Sequence, residues 1–357
     1  MRVQGRTDTS MNQRLNRILV IATAIALTLL SACSTPPAAA PTATATSTPT
    51  AAPTPVAITA ATAAQLRATD TFATTQVQRM VWSATGVLWV ASTARVDAVT
   101  PGTSGITKAF EVQAPNRILA VSPSGIVAVG SGATVLLVDL KTSTTLQTLT
   151  PGGVTNTALF FGTKVVLVAG DTIGASVWDV GSGTRTGAIS GFQTAAPVYN
   201  MVVSPDGARS AWVSRATLQF GDVSANTLGS RIQLEDFIGA YAFAPDGKLF
   251  ASTVAVPGAG GTLVGRVQLW DPATGAEVRR LNQASIFAAL GFAPREHLIA
   301  TGGEGLTLWS TDDGKSVASM PVADTGKVRQ VAFSPDGSML ATIADDGRGT
   351  IWRAAAR

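Results

Sequence analysis

The feature that most constrains the fold of this 357-residue chain is a unit that recurs about every 42 residues. In each copy an apolar segment runs into a four-residue turn, which reads Ser-Pro-Asp-Gly at residues 204–207 and 334–337. Proline fixes φ in such a turn, and glycine tolerates positive φ. The last residues of the seven turns are 39 to 49 positions apart: Gly86, Gly125, Lys164, Gly207, Gly247, Glu296 and Gly337. Seven copies at one period predict a repeat architecture.

Each unit contains four short segments that are typical of β-strands. A second apolar segment follows the turn, as at residues 165–170, and a third ends near a tryptophan in four copies: Trp178, Trp270, Trp309 and Trp352. The pair Trp-Asp occurs at 178–179 and 270–271. A four-stranded unit of 40 to 45 residues with this ending resembles the WD-repeat propeller family over about residues 63–353. The resemblance implies an all-β fold, a seven-bladed β-propeller of four-stranded antiparallel blades.

The chain departs from the family pattern at two positions of the repeat. The Gly-His dipeptide that normally opens a repeat is absent, since the only histidine is His297. The aspartate six residues before the tryptophan occurs only in the last copy, as Asp346. The resemblance therefore implies that the hydrogen-bonded tetrad of standard blades is largely missing, so we expect the detailed blade geometry to differ and the architecture to remain.

The last unit ends after its third strand, because only four residues follow Arg353. We expect residues 63–70 to supply its fourth strand, because such closure removes the sheet edges that an open ring would expose.

The N-terminal region has the pattern of a secretory signal peptide. Arg14 and Arg17 precede an apolar run at residues 18–30, which is too short to span a bilayer as a helix. Leu30-Ser31-Ala32-Cys33 follows and resembles the lipobox of bacterial lipoproteins, in which the cysteine receives a diacylglycerol and becomes the first residue. Cys33 is the only cysteine in the chain. We therefore predict a lipoprotein signal peptide at residues 1–32 and lipidation at Cys33, with an ordinary signal peptide as the alternative.

The segment after the cysteine predicts a tether. Between residues 34 and 62 every residue except Val56 and Ile58 is Ala, Thr, Pro or Ser. This composition cannot bury a core, so we expect residues 33–62 to be disordered and residues 63–357 to form the propeller. The sequence thus predicts a head held on an extracytoplasmic membrane face of the cell envelope.

Composition argues against several functions. Residues 33–357 carry 22 basic and 21 acidic side chains, which gives no electrostatic case for nucleic acid. A single histidine excludes a histidine-rich metal cluster and makes a Ser-His-Asp triad improbable. The carboxylates fall in turns, as at Asp206 and Asp246, where turn chemistry accounts for them. We expect no cofactor, no metal and no catalytic residue.

One face of the expected ring is a candidate binding surface. It is formed by the loops between second and third strands and by the connections from fourth to first strands, where WD-repeat propellers usually bind partners. Arginine and aromatic side chains recur there and are enriched at interface hot spots; the alternative is that arginines solvate loops and phenylalanines fill seams between blades. We predict nine partner-binding residues: Arg95, Arg117, Tyr199, Arg215, Phe237, Arg266, Phe287, Arg329 and Arg348. An insertion at residues 254–265 is either a flexible flap or a long hairpin.

The leading interpretation is a monomeric, membrane-anchored WD-repeat lipoprotein that acts as a non-catalytic platform for binding a protein or peptide. Two alternatives remain open. One is a propeller enzyme of the lactonase or quinone-dependent dehydrogenase type, although the chain shows none of the channel residues on which those enzymes depend. The other is an outer-membrane protein assembly factor, a comparison that rests on fold and anchor alone.

Overall fold

The computed structural model of the chain describes residues 55–103, 105–169, 174–190, 200–214, 216–234, 238–261, 263–283, 289–321 and 326–355. The expected signal peptide, Cys33 and residues 33–54 of the expected tether lie outside these ranges. Within them, no helix is both long enough and apolar enough to cross a membrane.

The described residues form 28 strands in seven four-stranded sheets. Each sheet is a blade in which successive strands pair antiparallel. The strands of blades 1 to 3 are β2 (Arg79–Trp82), β3 (Leu88–Ala91), β4 (Arg95–Val99), β5 (Ile106–Glu111), β6 (Arg117–Val121), β7 (Ile126–Ser131), β8 (Thr134–Asp139), β9 (Thr145–Leu149), β10 (Thr155–Phe161), β11 (Lys164–Ala169), β12 (Gly174–Asp179) and β13 (Arg185–Ser190). Those of blades 4 to 6 are β14 (Asn200–Val203), β15 (Arg209–Ser214), β16 (Thr217–Asp222), β17 (Thr227–Gln233), β18 (Ile238–Phe243), β19 (Phe250–Pro257), β20 (Leu263–Trp270), β21 (Glu277–Gln283), β22 (Ala289–Phe292), β23 (Leu298–Gly302), β24 (Gly305–Ser310) and β25 (Ser316–Pro321). Blade 7 combines β26 (Val328–Phe333), β27 (Met339–Ala344) and β28 (Arg348–Ala354) with β1 (Leu66–Ala73).

The predicted closure of the ring is confirmed. Strand β1 pairs antiparallel with β28 from Leu66 opposite Ala354 to Ala73 opposite Arg348. The strand begins three residues later than residues 63–70 suggested, because a 3-10 turn occupies Ala63–Gln65. The blades therefore close into a continuous ring without an open end.

Packing extends to residues before the predicted start of the propeller. The Ile58 side chain is 1% exposed and lies in the same cluster as Leu66, Leu340 and Trp352. Its backbone N–H donates to the Gly337 carbonyl at 2.9 Å. Ile58 thus contributes to the propeller core although it lies in the segment expected to be a tether.

The core is divided among the interfaces between neighbouring blades. Buried side chains of the described residues form seven clusters, and each cluster joins two adjacent sheets. Side chains alternate between the two faces of a strand, so a blade in a ring must be apolar on both. This is why the second strands are mostly apolar and mostly buried, as β27 and β7 are.

Part of the missing tetrad is retained as a two-residue contact. In four blades the tryptophan of the third strand donates its Nε1–H to a serine or threonine hydroxyl at 2.8–3.0 Å: Trp178 to Ser176, Trp270 to Ser252, Trp309 to Thr301 and Trp352 to Thr342. These buried bonds satisfy the indole N–H where the histidine of the family pattern is absent.

Candidate functional site

The turns between first and second strands define one end of the ring. In the turn of blade 4, the Ser204 hydroxyl accepts the Arg209 N–H at 2.9 Å, and Asp206 accepts the Ala208 N–H at 3.0 Å. Gly207 has φ of 74°, which glycine adopts without strain. The same pattern of serine and aspartate bonds recurs in the turn of blade 7.

Carboxylates at this end are held by hydrogen bonds within their own turns. The Ser204 hydroxyl donates to Asp206 and lowers the pKa of that carboxyl. The backbone N–H groups of Ser182 and Ala225 lower the pKa of Asp179 and Asp222. Turn formation therefore accounts for the acids at this end, and the described residues hold no cluster of three or more His, Cys, Asp or Glu that could bind a metal.

The opposite end carries the arginines that the sequence predicts as binding residues. Arg95 begins β4 and is ion-paired with Asp97. Arg329 lies in β26, where its Nη2 is 3.3 Å from an Asp345 carboxylate oxygen. Arg348 begins β28 and is exposed. Three predicted residues thus reach this face from two blades, Arg95 from blade 1 and Arg329 and Arg348 from blade 7, with side chains open to solvent.

Arg117 donates hydrogen bonds to the neighbouring blade. Its Nη2 donates to the Thr155 carbonyl at 2.7 Å and to Asn156 Oδ1 at 3.1 Å. Arg117 begins β6 of blade 2, whereas both acceptors belong to blade 3. The side chain therefore joins blades 2 and 3 at the beginning of their first strands.

The expected loop position of Arg266 is wrong. The insertion at residues 254–265 continues the ladder between β19 and β20 to Pro257 opposite Leu263, so Arg266 lies within β20, opposite Val254. The insertion is thus the long hairpin of the two alternatives, because its residues keep pairing instead of leaving the sheet. A partner-binding role for Arg266 stays a prediction.

The alternative for the phenylalanines, that they fill seams between blades, is observed at Phe72 of β1. Phe72 is 8% exposed and packs with Met80, Trp82 and Ile351, so it fills the seam between blades 7 and 1. Four predicted binding residues fall in the undescribed ranges: Tyr199, Arg215, Phe237 and Phe287.

A cavity of about 420 Å³ lies among the first strands at this same end of the ring. Its walls come from six blades, because the first strands of neighbouring blades contact one another around the axis. The apolar residues of its lining are Met80, Leu159, Met201, Val202, Leu290 and Val331. The polar residues of its lining are Gln78, Arg79, Thr157, Asn200, Tyr241, Arg329 and Gln330.

Three of these polar residues converge from three blades. The Tyr241 phenol of blade 5 lies near the Asn200 side chain of blade 4 and the Arg79 guanidinium of blade 1. Burial raises the pKa of Tyr241 to about 12, against the opposing effects of Arg79 and Asn200, so its hydroxyl stays protonated. The Tyr241 ring stacks on Phe250 with centroids 6.3 Å apart, which fixes its orientation.

Arg79 is not among the residues predicted from the sequence, although it occupies a position that can be aligned across the seven repeats. Seven residues before each aligned turn residue stands one side chain per blade: Arg79, Ile118, Thr157, Asn200, Ala240, Ala289 and Gln330. Six of the seven line the cavity. The prediction considered the neighbouring position, which holds Arg117, Tyr199 and Arg329. Shifting the alignment by one residue would have identified the ring of channel residues.

Comparison with known proteins agrees with the fold. Residues 314–353, in blade 7, match the family model described as WD domain, G-beta repeat. The WD repeat-containing protein slp1 of Schizosaccharomyces pombe is 32% identical over 100 residues, which cover 26% of this chain and 20% of that protein. Eukaryotic translation initiation factor 3 subunit I is 37% identical over 86 residues in Scheffersomyces stipitis and 35% identical over 86 residues in Candida albicans, covering 23% of this chain and 24% of each protein. The matched stretches thus span only about a fifth to a quarter of these relatives.

A solved structure shows the same architecture over most of the chain. A chain in the crystal structure of the mitotic checkpoint complex superimposes with a TM-score of 0.66 and 19% identity, covering 81% of this chain and 92% of that chain. Together with the seven four-stranded blades, this likeness shows a seven-bladed β-propeller fold, in which residues 314–353 are similar to the WD repeat.

Proposed function

We propose that this chain is a membrane-anchored, extracytoplasmic WD-repeat lipoprotein whose propeller is a non-catalytic platform for a protein or peptide partner. The support for the anchor comes from the sequence alone: the lipobox-like Leu30-Ser31-Ala32-Cys33 and the Ala/Thr/Pro segment after it. A diacylated cysteine with a further acyl chain holds a protein stably on a bilayer, whereas one chain binds only marginally.

The observation that carries the interaction role is the contrast between the two ends of the ring. At the turn end, carboxylates are held by backbone and serine hydrogen bonds. At the channel end, Arg95, Arg329 and Lys327 keep 44%, 54% and 58% of their side chains exposed, each beside one carboxylate, and Arg329 lines the cavity. Exposed cationic side chains around a concavity are suited to steer and hold a partner of complementary charge.

A crosslinking capture from intact envelopes, with the full-length lipidated chain as bait, tests this role. The double variant Arg329→Ala with Arg348→Ala should lose the captured partner while its melting temperature stays unchanged. Arg295→Ala is the matched control, because Arg295 is an exposed arginine in a turn at the opposite end. Capture that is equal in the two variants, or that is lost with Arg295→Ala alone, contradicts the assignment of the binding face.

A further inference from the structure

The channel cavity holds a cation for which the described residues supply no carboxylate. Arg79 is mostly buried at the start of β2, and burial lowers the pKa of its guanidinium. Among the described residues, no ion pair or side-chain hydrogen bond is formed by Arg79, in contrast to Arg95 and Arg329 on the same face. Its charge interacts with Tyr241, a neutral phenol. Arginine remains protonated in proteins, so this group is a mostly buried positive charge in the lining of the cavity.

The other groups around Arg79 complete a set of donors. The Tyr241 hydroxyl is protonated, and the Asn200 side chain adjoins it from the next blade. Gln78 and Gln330 line the same cavity, and Gln330 Nε2 donates to the Val77 carbonyl at 3.3 Å, which fixes it at the junction of blades 7 and 1. A guanidinium presents paired N–H groups in the geometry that a carboxylate accepts.

Space for a ligand beside Arg79 arises from small residues at the equivalent position of other blades. Ala240 and Ala289 occupy this position in blades 5 and 6, where a longer side chain would fill the channel. The cavity of about 420 Å³ falls within the range of small-ligand sites.

We propose that the mouth of the central channel is a carboxylate-binding site, in which Arg79 pairs with the carboxylate while Tyr241 and Asn200 donate hydrogen bonds to it. Arg329 in the same lining is already ion-paired with Asp345, so Arg79, the one cation of the described lining without a carboxylate, matches a single negative charge and offers too little positive charge for a phosphate dianion. The carboxylate belongs either to a free organic acid or to an acidic residue of a partner. Only the second source rests on the proposed function.

Isothermal titration of the full chain with two probes tests the site and separates the sources. The first probe is sodium acetate, titrated against sodium chloride at constant ionic strength. The second is the blocked peptide acetyl-Gly-Asp-Gly-amide, with acetyl-Gly-Asn-Gly-amide as its neutral counterpart. Acetate binding indicates a free acid, and binding of the aspartyl peptide alone indicates a side chain of a partner. Absence of binding by both probes refutes the site.

Matched variants assign the binding to Arg79. Arg79→Gln should weaken the bound probe at least tenfold, whereas Arg295→Gln, which removes an exposed arginine in a turn at the opposite end, should leave affinity unchanged. Tyr241→Phe removes one hydroxyl and should weaken binding severalfold, and it remains informative if Arg79→Gln fails to fold. Equal affinity of wild type, Arg79→Gln and Tyr241→Phe refutes the proposal. If a probe still binds when no partner is captured, the carboxylate site stands and only the proposed interaction role is refuted.

Discussion

Two leucines on outermost strands provide a direct test of how the ring is closed. Leu66 in β1 of blade 7 is 2% exposed, whereas Leu146 in β9 of blade 2 is 43% exposed. Both residues would be replaced by alanine in otherwise unchanged chains. Leu66 is buried only because β1 docks on β28 and its side chain joins the cluster of Leu340 and Trp352.

The structure predicts a large difference between the two substitutions. Truncating a buried leucine to alanine costs about 2–5 kcal/mol of unfolding free energy, through lost transfer energy and the remaining cavity. A substitution at a largely exposed site costs about 1 kcal/mol or less. At about 2 °C per kcal/mol for a domain of this size, Leu66→Ala should lower the melting temperature by roughly 4–10 °C. Leu146→Ala should lower it by about 2 °C or less.

Thermal unfolding followed by near-ultraviolet circular dichroism measures both variants, with urea midpoints as a second readout that does not depend on scan rate. Because the residue type, the substitution and the strand position in the blade are matched, only the packing differs. Equal loss of stability in Leu66→Ala and Leu146→Ala would refute the packing of residues 66–73 as the outer strand of the last blade.

Three further predictions concern the blades, the anchor and the turns. Ser252→Ala removes the acceptor of the buried Trp270 indole and should cost about 1–3 kcal/mol, but much less in a Trp270→Phe background, which a double-mutant cycle of urea midpoints measures. Cys33→Ala should abolish lipidation, detectable by mass spectrometry of the mature N-terminus and by loss of detergent-phase partitioning; an unmodified wild-type N-terminus at another residue would contradict the anchor. The hydrogen bond from Ser204 lowers the pKa of Asp206, so its contribution to stability is present above the unfolded carboxyl value of about 4 and is lost as the pH falls through the folded value. Asp206→Asn should therefore reduce the loss of stability on acidification below about pH 4, and an unchanged acid-unfolding curve would count against this bond.

The architecture was predictable because each blade repeats the same local chemistry. A Ser-Pro-Asp-Gly turn specifies its own hydrogen bonds, as Ser204 and Asp206 show, and an apolar strand on each side follows from burial on two faces. The closing strand was predictable to within three residues because the last unit lacked one strand. The start of the packed region was harder to predict from the sequence. Ile58 lies in an Ala/Thr/Pro segment, and its burial depends on contacts with blades 6 and 7.

Arg266 shows how a local pattern misplaces a residue. A glycine-rich insertion in the sequence resembles a loop, and Gly258, Gly260 and Gly261 do form the tip of the hairpin at residues 258–261. The flanking residues have valines at positions 254, 256 and 264, which favour continued pairing. The ladder therefore extends into the insertion, and Arg266 lies within the strand.

The channel residues escaped prediction because their relation is set by the ring and not by the repeat. Within one blade, the position of Arg79 is simply the first residue of an inner strand, and nothing near it in the sequence indicates a ligand. Its partners, Asn200 and Tyr241, lie more than 100 residues away in blades 4 and 5. Core packing and turn geometry constrain the rest of each repeat, whereas this position borders the channel and tolerates residues from alanine to arginine. A repeat architecture thus gives seven equivalent positions around one axis, and chemical specificity arises where they differ: one cation, polar residues beside it, and two alanines that leave the space a ligand needs.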